Sequence, residues 1–242
     1  MSRQAAAQLA PNGVLRAGVN MGNFLLVTGK DASGDPTGVA PDMAREIATR
    51  LGVGVQYAPF SRPNTLADAA EDGVWDVALI GAEPARARVI AFSPAYVEIE
   101  ATYLVPLRSP ITSLADVDRP GVRIAVLAGS AYDLWLERNI QNAALVRSNA
   151  ATGAAKLLAD GQADVLAALR PGLQAEIERL PGARILDGRF TAVQQAVGTR
   201  RENAAGAEFL RGFVEDAKAS GLVERLIERH GMVGRLMIAP PG

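Results

Sequence analysis

The sequence predicts an α/β protein built as two lobes, and three observations carry that expectation. Short apolar runs alternate with stretches in which apolar residues recur at helical spacing, the signature of strands separated by helices. Glycines punctuate the ends of those helices at Gly52, Gly73, Gly161 and Gly221. The third observation is an internal echo: Asp72-Gly73-Val74-Trp75-Asp76-Val77 recurs as Asp160-Gly161-Gln162-Ala163-Asp164-Val165, each time after a helix and before an apolar strand. A chain of 242 residues suits two lobes of about 100–120 residues each.

The elements follow in order. Residues 1–12 are small and polar and read as a loose arm. Residues 15–19 are a strand that enters the loop Asn20-Met21-Gly22-Asn23-Phe24. Residues 30–38, rich in Gly, Asp, Ser and Pro, read as an exposed turn. Met43, Ile47 and Leu51 set a helix over 42–51, and residues 53–57 a second strand. A helix over 65–72 leads to the buried strand 76–80. Gly81-Ala82-Glu83-Pro84 then releases the chain, and Pro84 is placed to open a helix carrying Arg86. Residues 101–105 are a strand, after which Pro106, Pro110 and Pro120 read as the passage between lobes. The second lobe holds strands at 122–127, 145–146 and 164–169, helices after Ser130, over 152–160 and over 174–180, and strands at 184–186 and 194–197. Residues 205–229 close the chain as two helices broken at Gly221. The expected division is 13–105 for lobe 1, 106–191 for lobe 2 and 192–235 for a return to lobe 1, with 1–12 and 236–242 as flexible ends.

Composition narrows the chemistry. Lys and Arg number 25 against 26 Asp and Glu, which argues against a nucleic-acid or membrane-surface partner held by net charge. There is no cysteine, so disulfides and thiolate chemistry are excluded, and no cofactor is implied. His230 is the single histidine; beside Gly231 at a helix end it reads as a cap on the helix carbonyls. No run of apolar residues is long enough to span a membrane. The first ten residues lack a basic cluster and an apolar core, so either a leader has been removed or the protein stays inside the cell.

Three strand ends carry ligand-type chemistry. Arg86 lies just past a buried strand, where open α/β sheets bind ligands, and a guanidinium there grips a carboxylate with two parallel bonds. The alternative is a solvated surface arginine. Gly129-Ser130-Ala131 leads a strand into a helix; Ser130 suits the N-cap, and the amides behind it favour an anion. The alternative is an ordinary cap. In the loop Asn20 to Phe24, the aromatic Phe24 either stacks on a ligand or fills core.

The order and spacing of these pieces resemble the family 3 extracellular solute-binding proteins, the receptors of polar-amino-acid ABC importers. The resemblance covers residues 13–232. It rests on Leu15-Arg16-Ala17-Gly18-Val19, Gly38-Val39-Ala40-Pro41-Asp42-Met43-Ala44, Trp75-Asp76-Val77-Ala78, Pro84-Ala85-Arg86-Ala87, Phe92-Ser93-Pro94-Ala95-Tyr96, Gly129-Ser130, Gly161-Gln162-Ala163-Asp164 and Ser220-Gly221-Leu222. It implies a type II periplasmic-binding-protein-like fold with a hinged cleft between the lobes. It further implies a monomeric, periplasmic, non-enzymatic receptor that hands a small carboxylate-bearing ligand to an ABC permease. By that resemblance Arg86 holds the ligand carboxylate, Gly129 and Ser130 supply donors, and an aromatic near Phe24 covers the ligand side chain; Asn20, Asn23, Gly81, Glu83 and Ala131 complete the expected contacts.

Departures from the family pattern are as informative. Gly38-Val39-Ala40 stands where Gly-Phe-Asp is usual, Gly81 replaces a hydroxyl residue, and Ala131 replaces a threonine. Leu169 occupies the position of the aspartate that pairs with the ligand ammonium, followed by Arg170-Pro171. Burying an ammonium with no partner costs about 3–5 kcal/mol, so an α-amino acid held in the usual manner is disfavoured. Either Glu83, Glu98 or Glu100 substitutes for the aspartate, or the ligand lacks the ammonium. Arg170 either attracts a second anionic group or faces solvent. A competing expectation is an enzyme similar to the cyclohexadienyl dehydratases, with Glu83 as the candidate general acid. A sensing module would carry a DNA-binding or signalling domain, and none is present in this sequence.

Overall fold

The structure is a computed structural model that describes residues 3–242. Its elements are α1 (Arg3–Leu9), β1 (Val14–Asn20), β2 (Gly29–Lys30), β3 (Pro36–Thr37), α2 (Val39–Leu51), β4 (Gly54–Phe60), α3 (Pro63–Asp68), β5 (Val77–Gly81) and β6 (Ile90–Pro106), then β7 (Arg123–Leu127), α4 (Ala131–Asn139), β8 (Ala144–Ser148), α5 (Ala151–Ala159), β9 (Val165–Leu169), α6 (Arg170–Arg179), β10 (Ala183–Ile185), β11 (Thr191–Arg200), α7 (Ala204–Ala219), α8 (Leu222–Arg229) and β12 (Met237–Ile238). The chain divides into two compact units, residues 1–98 with 194–242, and residues 99–193. The crossings fall inside β6 and β11 and not at the proline-rich segment expected to separate the lobes. Those prolines end the long strand β6, whose regular backbone carries the chain from one unit into the other.

In unit 1 the strand order is β4-β1-β5-β11-β6. β1 runs parallel to β4 and β5, whereas β11 pairs antiparallel with β5. Every residue of β5 is buried, as its uninterrupted apolar run requires. Leu66, Trp75, Ala78, Ile80 and Ile90 form a core cluster, and the indole N–H of Trp75 donates to the Leu66 carbonyl at 3.0 Å. Helix α2 buries Met43, Ile47 and Leu51 and ends at Gly52, which takes φ 72° to cap it. His230 closes α8 as expected of a capping residue, and its Nε2 also lies 2.8 Å from the buried Asp42 carboxylate.

Unit 2 has the order β6-β9-β7-β8, with β10 added on β6. β7 is parallel to both β8 and β9, and β6 runs antiparallel to β9. Tyr103, Ile124, Val126, Leu136, Val165 and Ala167 fill one side of its core, with the Tyr103 and Phe190 rings stacked 4.5 Å apart. Leu104, Ala125, Leu158, Leu166 and Leu173 fill the other.

The internal echo is a repeated ion pair. In unit 1 the Asp76 carboxylate accepts from the Arg16 backbone N–H at 2.9 Å and from its Nε and Nη2 at 3.0 and 2.6 Å, while Nη1 donates to the Gly73 carbonyl. In unit 2 Asp164 accepts from the Arg123 backbone N–H at 2.9 Å and from its Nε and Nη2 at 3.0 and 2.8 Å, while Nη2 also donates to the Gly161 carbonyl. Each clamp locks the amino-terminal ends of two parallel neighbours, β1 with β5 and β7 with β9.

Both expected flexible ends are held by packing. Met1 and Ser2, part of the expected loose arm, lie outside the described residues. From Arg3 the arm is helix α1, with Ala5 and Leu9 fully buried and the Gln8 side chain accepting from the Gly206 amide of α7 at 2.8 Å. At the other end β12 pairs with β6, and Lys218 donates to the Pro240 carbonyl at 2.7 Å.

Candidate functional site

In unit 1, β1 and β5 are parallel neighbours, so the loops that follow them emerge at the same sheet edge. That carboxyl edge is where open α/β sheets take ligands. The loop after β5 carries Gly81, Glu83 and Arg86; the loop after β1 carries Asn20, Asn23 and Phe24.

Arg86 is not on the surface: only 5% of it is exposed. Pro84 does not open an α-helix as expected. Residues 86–88 form a single 3₁₀ turn with Ala85 ahead of it, and β6 begins directly after at Ile90. So short a turn folds the guanidinium back onto the strand it has just left, and Nη1 donates to the Gly81 carbonyl at 2.7 Å. Gly81 therefore serves Arg86 through its carbonyl, where the sequence suggested only an amide donor. Burial pushes the Arg86 guanidinium down to about 10, against the opposing attraction of Glu83 and Asp68. It stays cationic at neutral pH. A cation held this dry is an anion site in waiting, because water has been removed from it and strong charge-assisted bonds remain available to a carboxylate.

The loop after β1 is built by asparagines. Asn20 Oδ1 accepts from the Gly22 amide at 3.1 Å, and Asn23 Oδ1 from the Leu25 amide at 3.2 Å, two Asx turns in succession. They hold Phe24 outward, half exposed, which removes the core-filling alternative for this ring. Glu98, one candidate substitute for the missing aspartate, accepts from the Gln194 side-chain amide at 2.8 Å.

In unit 2 the parallel neighbours β7 and β9 bring two further loops to one edge. After β7, Gly129 takes φ 69° and Ser130 caps α4, accepting from the Asp133 amide at 3.1 Å. Ser130 and Ala131 are buried. The Gly129 amide donates to the Asp133 carboxylate at 2.9 Å, and Arg147 Nε donates to the same carboxylate at 2.9 Å. The protein's own carboxylate thus stands at this helix start, a feature that the spacing of Ser130 and Asp133 concealed.

After β9, Leu169 is the residue ahead of α6, and Arg170 is the first residue of that helix. Arg170 Nε donates to Glu100 Oε2 at 2.7 Å, and its Nη2 donates to the Gly188 carbonyl. Arg189 Nη1 lies 3.6 Å from the other oxygen of Glu100. Arg170 is therefore neither free nor simply solvated, and Glu100 is already engaged by two guanidiniums. Arg189 carried no sequence signal; only the fold brings its loop to Glu100. Among the described residues no group of three or more His, Asp or Glu side chains is disposed to hold a metal.

Comparison with known proteins follows this geometry. Residues 15–233 match the profile of the bacterial extracellular solute-binding proteins, family 3. Cyclohexadienyl dehydratase of Pseudomonas aeruginosa is 25% identical over 227 residues, covering 91% of this chain and 84% of that protein. Among solved structures, the amino acid ABC transporter substrate-binding protein AbpA from Streptococcus pneumoniae, bound to L-arginine, superimposes with a TM-score of 0.74 at 23% identity, covering 94% of this chain and 98% of that one. The ancestral amino acid-binding protein AncCDT-1, a precursor of cyclohexadienyl dehydratase, does so with a TM-score of 0.73 at 23% identity, covering 94% and 99%.

Proposed function

Because the chain belongs to the bacterial extracellular solute-binding proteins of family 3 and has their type II periplasmic-binding-protein fold, we propose that it is a receptor that captures a small carboxylate-bearing solute for an ABC importer. The receptor works outside the cytoplasmic membrane and meets its permease there. The observation that carries this reading is Arg86: a guanidinium buried at the carboxyl edge of β5, with its charge offset only in part by Glu83 and Asp68. Ligand carboxylate oxygens accept from this guanidinium, and Phe24, half exposed on the neighbouring loop, stacks on the ligand body. Among the described residues no helix is long and apolar enough to cross a membrane.

The test is calorimetric titration of the full chain with small mono- and dicarboxylates and amino acids, repeated on Arg86→Ala. A hydrogen bond to a charged group contributes about 1.5–3 kcal/mol, so the variant is expected to lose tenfold or more in affinity, in the sense of about 1.4 kcal/mol per decade. Circular dichroism of Arg86→Ala checks that the fold persists, and Arg86→Lys tests whether charge alone suffices. Affinity within about threefold of wild type in Arg86→Ala would sink the carboxylate clamp.

A second reading, an eliminating enzyme, is favoured by one observation, the 25% identity to cyclohexadienyl dehydratase. Such an elimination needs a poised general acid. Glu83, the candidate, is the nearby anion that offsets the burial of Arg86, which gives its carboxylate a structural task. Incubation with prephenate or arogenate, followed by assay for phenylpyruvate or phenylalanine, decides: product formation establishes the enzyme, and its absence leaves the receptor.

A further inference from the structure

We propose that the β9–α6 junction of unit 2 receives an anionic group of the ligand and that the solute is a dicarboxylate without a free ammonium. This rests on the receptor reading above. An ammonium needs a carboxylate that is free to accept from it, and the junction offers none. Leu169, at the end of β9, presents an aliphatic side chain. Glu100, the nearest acid in the fold to that strand end, sits on β6 one residue from Ala101, the register partner of Leu169. Its two oxygens face Arg170 and Arg189. One carboxylate between two guanidiniums leaves a net positive charge, and both arginines keep exposed N–H groups, with side chains 27% and 46% accessible. Asp187, on the same loop as Arg189, is exposed, where solvent screens its charge. Asp133, the other acid near a strand end of this unit, is held by the Gly129 amide and Arg147.

Arg170 is also pre-oriented. Its Nη2 is fixed on the Gly188 carbonyl, itself held by the Thr102 hydroxyl at 2.9 Å. A guanidinium already pinned loses little side-chain freedom when an anion binds. The same arrangement repels an ammonium, so it selects against amino acids as well as for diacids. With Arg86 proposed for one carboxylate, the chemistry calls for two acidic groups and no amine.

The experiment uses the full chain and matched pairs that differ only in the ammonium, namely succinate against L-aspartate and glutarate against L-glutamate, by calorimetric titration. The better diacid is expected to bind at least about tenfold more tightly than its amino-acid counterpart, the loss that follows when one charged contact is replaced by repulsion. Arg170→Ala and Arg189→Ala are each expected to weaken that diacid by about tenfold. Glu100→Gln separates the two chemistries without removing either guanidinium. It is expected to hold or strengthen diacid binding, whereas a Glu100 that recognised an ammonium would lose amino-acid binding on the same change. Preference for L-aspartate, L-glutamate or L-arginine over the diacids, or loss of affinity in Glu100→Gln, overturns the inference while leaving the receptor reading intact. Failure of every carboxylate to bind wild type overturns both.

Discussion

At the residue scale the molecule is governed by where its charges are dry. Asp76 and Asp164 make the same contacts to Arg16 and Arg123, yet the Asp76 side chain is 2% exposed and that of Asp164 37%. Removing the acceptor leaves a part-buried arginine unpaired in the first case and a solvated one in the second. Asp76→Ala is therefore expected to lower stability by about 3 kcal/mol, in the range for breaking a buried pair, and Asp164→Ala by clearly less. Urea melts of the two variants check the ranking. The Arg123 side chain, by hydrogen bond and by charge, holds the Asp164 carboxyl below its ordinary value. A carboxyl depressed in the folded state stabilises the fold above the unfolded value, and that contribution fades as pH falls toward the folded one. The gap in thermal midpoint between wild type and Asp164→Asn is expected to close as pH is lowered from about 6 to about 3, passing the ordinary aspartate value near 4. A gap that stays constant across that range would deny the ion pair its role. Arg86 was legible from its position after an apolar strand. Its burial was not, because that follows from a turn too short to carry the side chain outward.

At the scale of elements, the alternation of strands and helices was readable because glycine stops and apolar runs are local signals. Three elements escaped, each for a physical reason. β6 extends back to Ile90 because long-range pairing carries it through Pro94 and two glutamates, where local composition breaks the strand pattern. β12 is two residues and exists only through β6. Helix α1 has a single long apolar residue, Leu9, so no amphipathic period announces it, and a helix of that length is marginal in isolation. Its stability is tertiary: Leu9 packs where Gly206 of α7 leaves room, since a Cβ there would approach Leu9 Cδ2 to 2.7 Å. Leu9→Ala is expected to cost about 3 kcal/mol, as for a large-to-small change in a filled core. Hydrogen exchange should show α1 losing protection first. Protection of α1 unchanged in that variant would show that Leu9 is not its anchor.

At the scale of the whole molecule, the sequence disclosed the α/β class and the two-part division, while the point of crossing depended on pairings far apart in the chain. The candidate ligand residues split in the same way. Arg86, Ser130 and Leu169 were readable from order and spacing, whereas Glu100 with Arg189 and Asp133 with Gly129 meet only through the fold. Unit 2 is one continuous stretch, residues 99–193, while unit 1 needs residues 194–242 to be complete. A chain ending at Val193 is therefore expected to protect amides of unit 2 from exchange and to leave those of unit 1 open. Equal protection in both would contradict the division.

The strand order of unit 1 also bears on synthesis. β11 lies between β5 and β6, yet it is translated after all of unit 2. While the chain leaves the ribosome, β5 and the first half of β6 wait with unpaired, largely apolar edges until about a hundred further residues have been made, which at about 5–20 residues per second is several seconds or more. Such edges invite wrong partners. The nascent chain is thus most vulnerable in the interval between its first ninety-eight residues and its last forty-nine, and a holding chaperone would act there, on the half of the protein that begins first and finishes last.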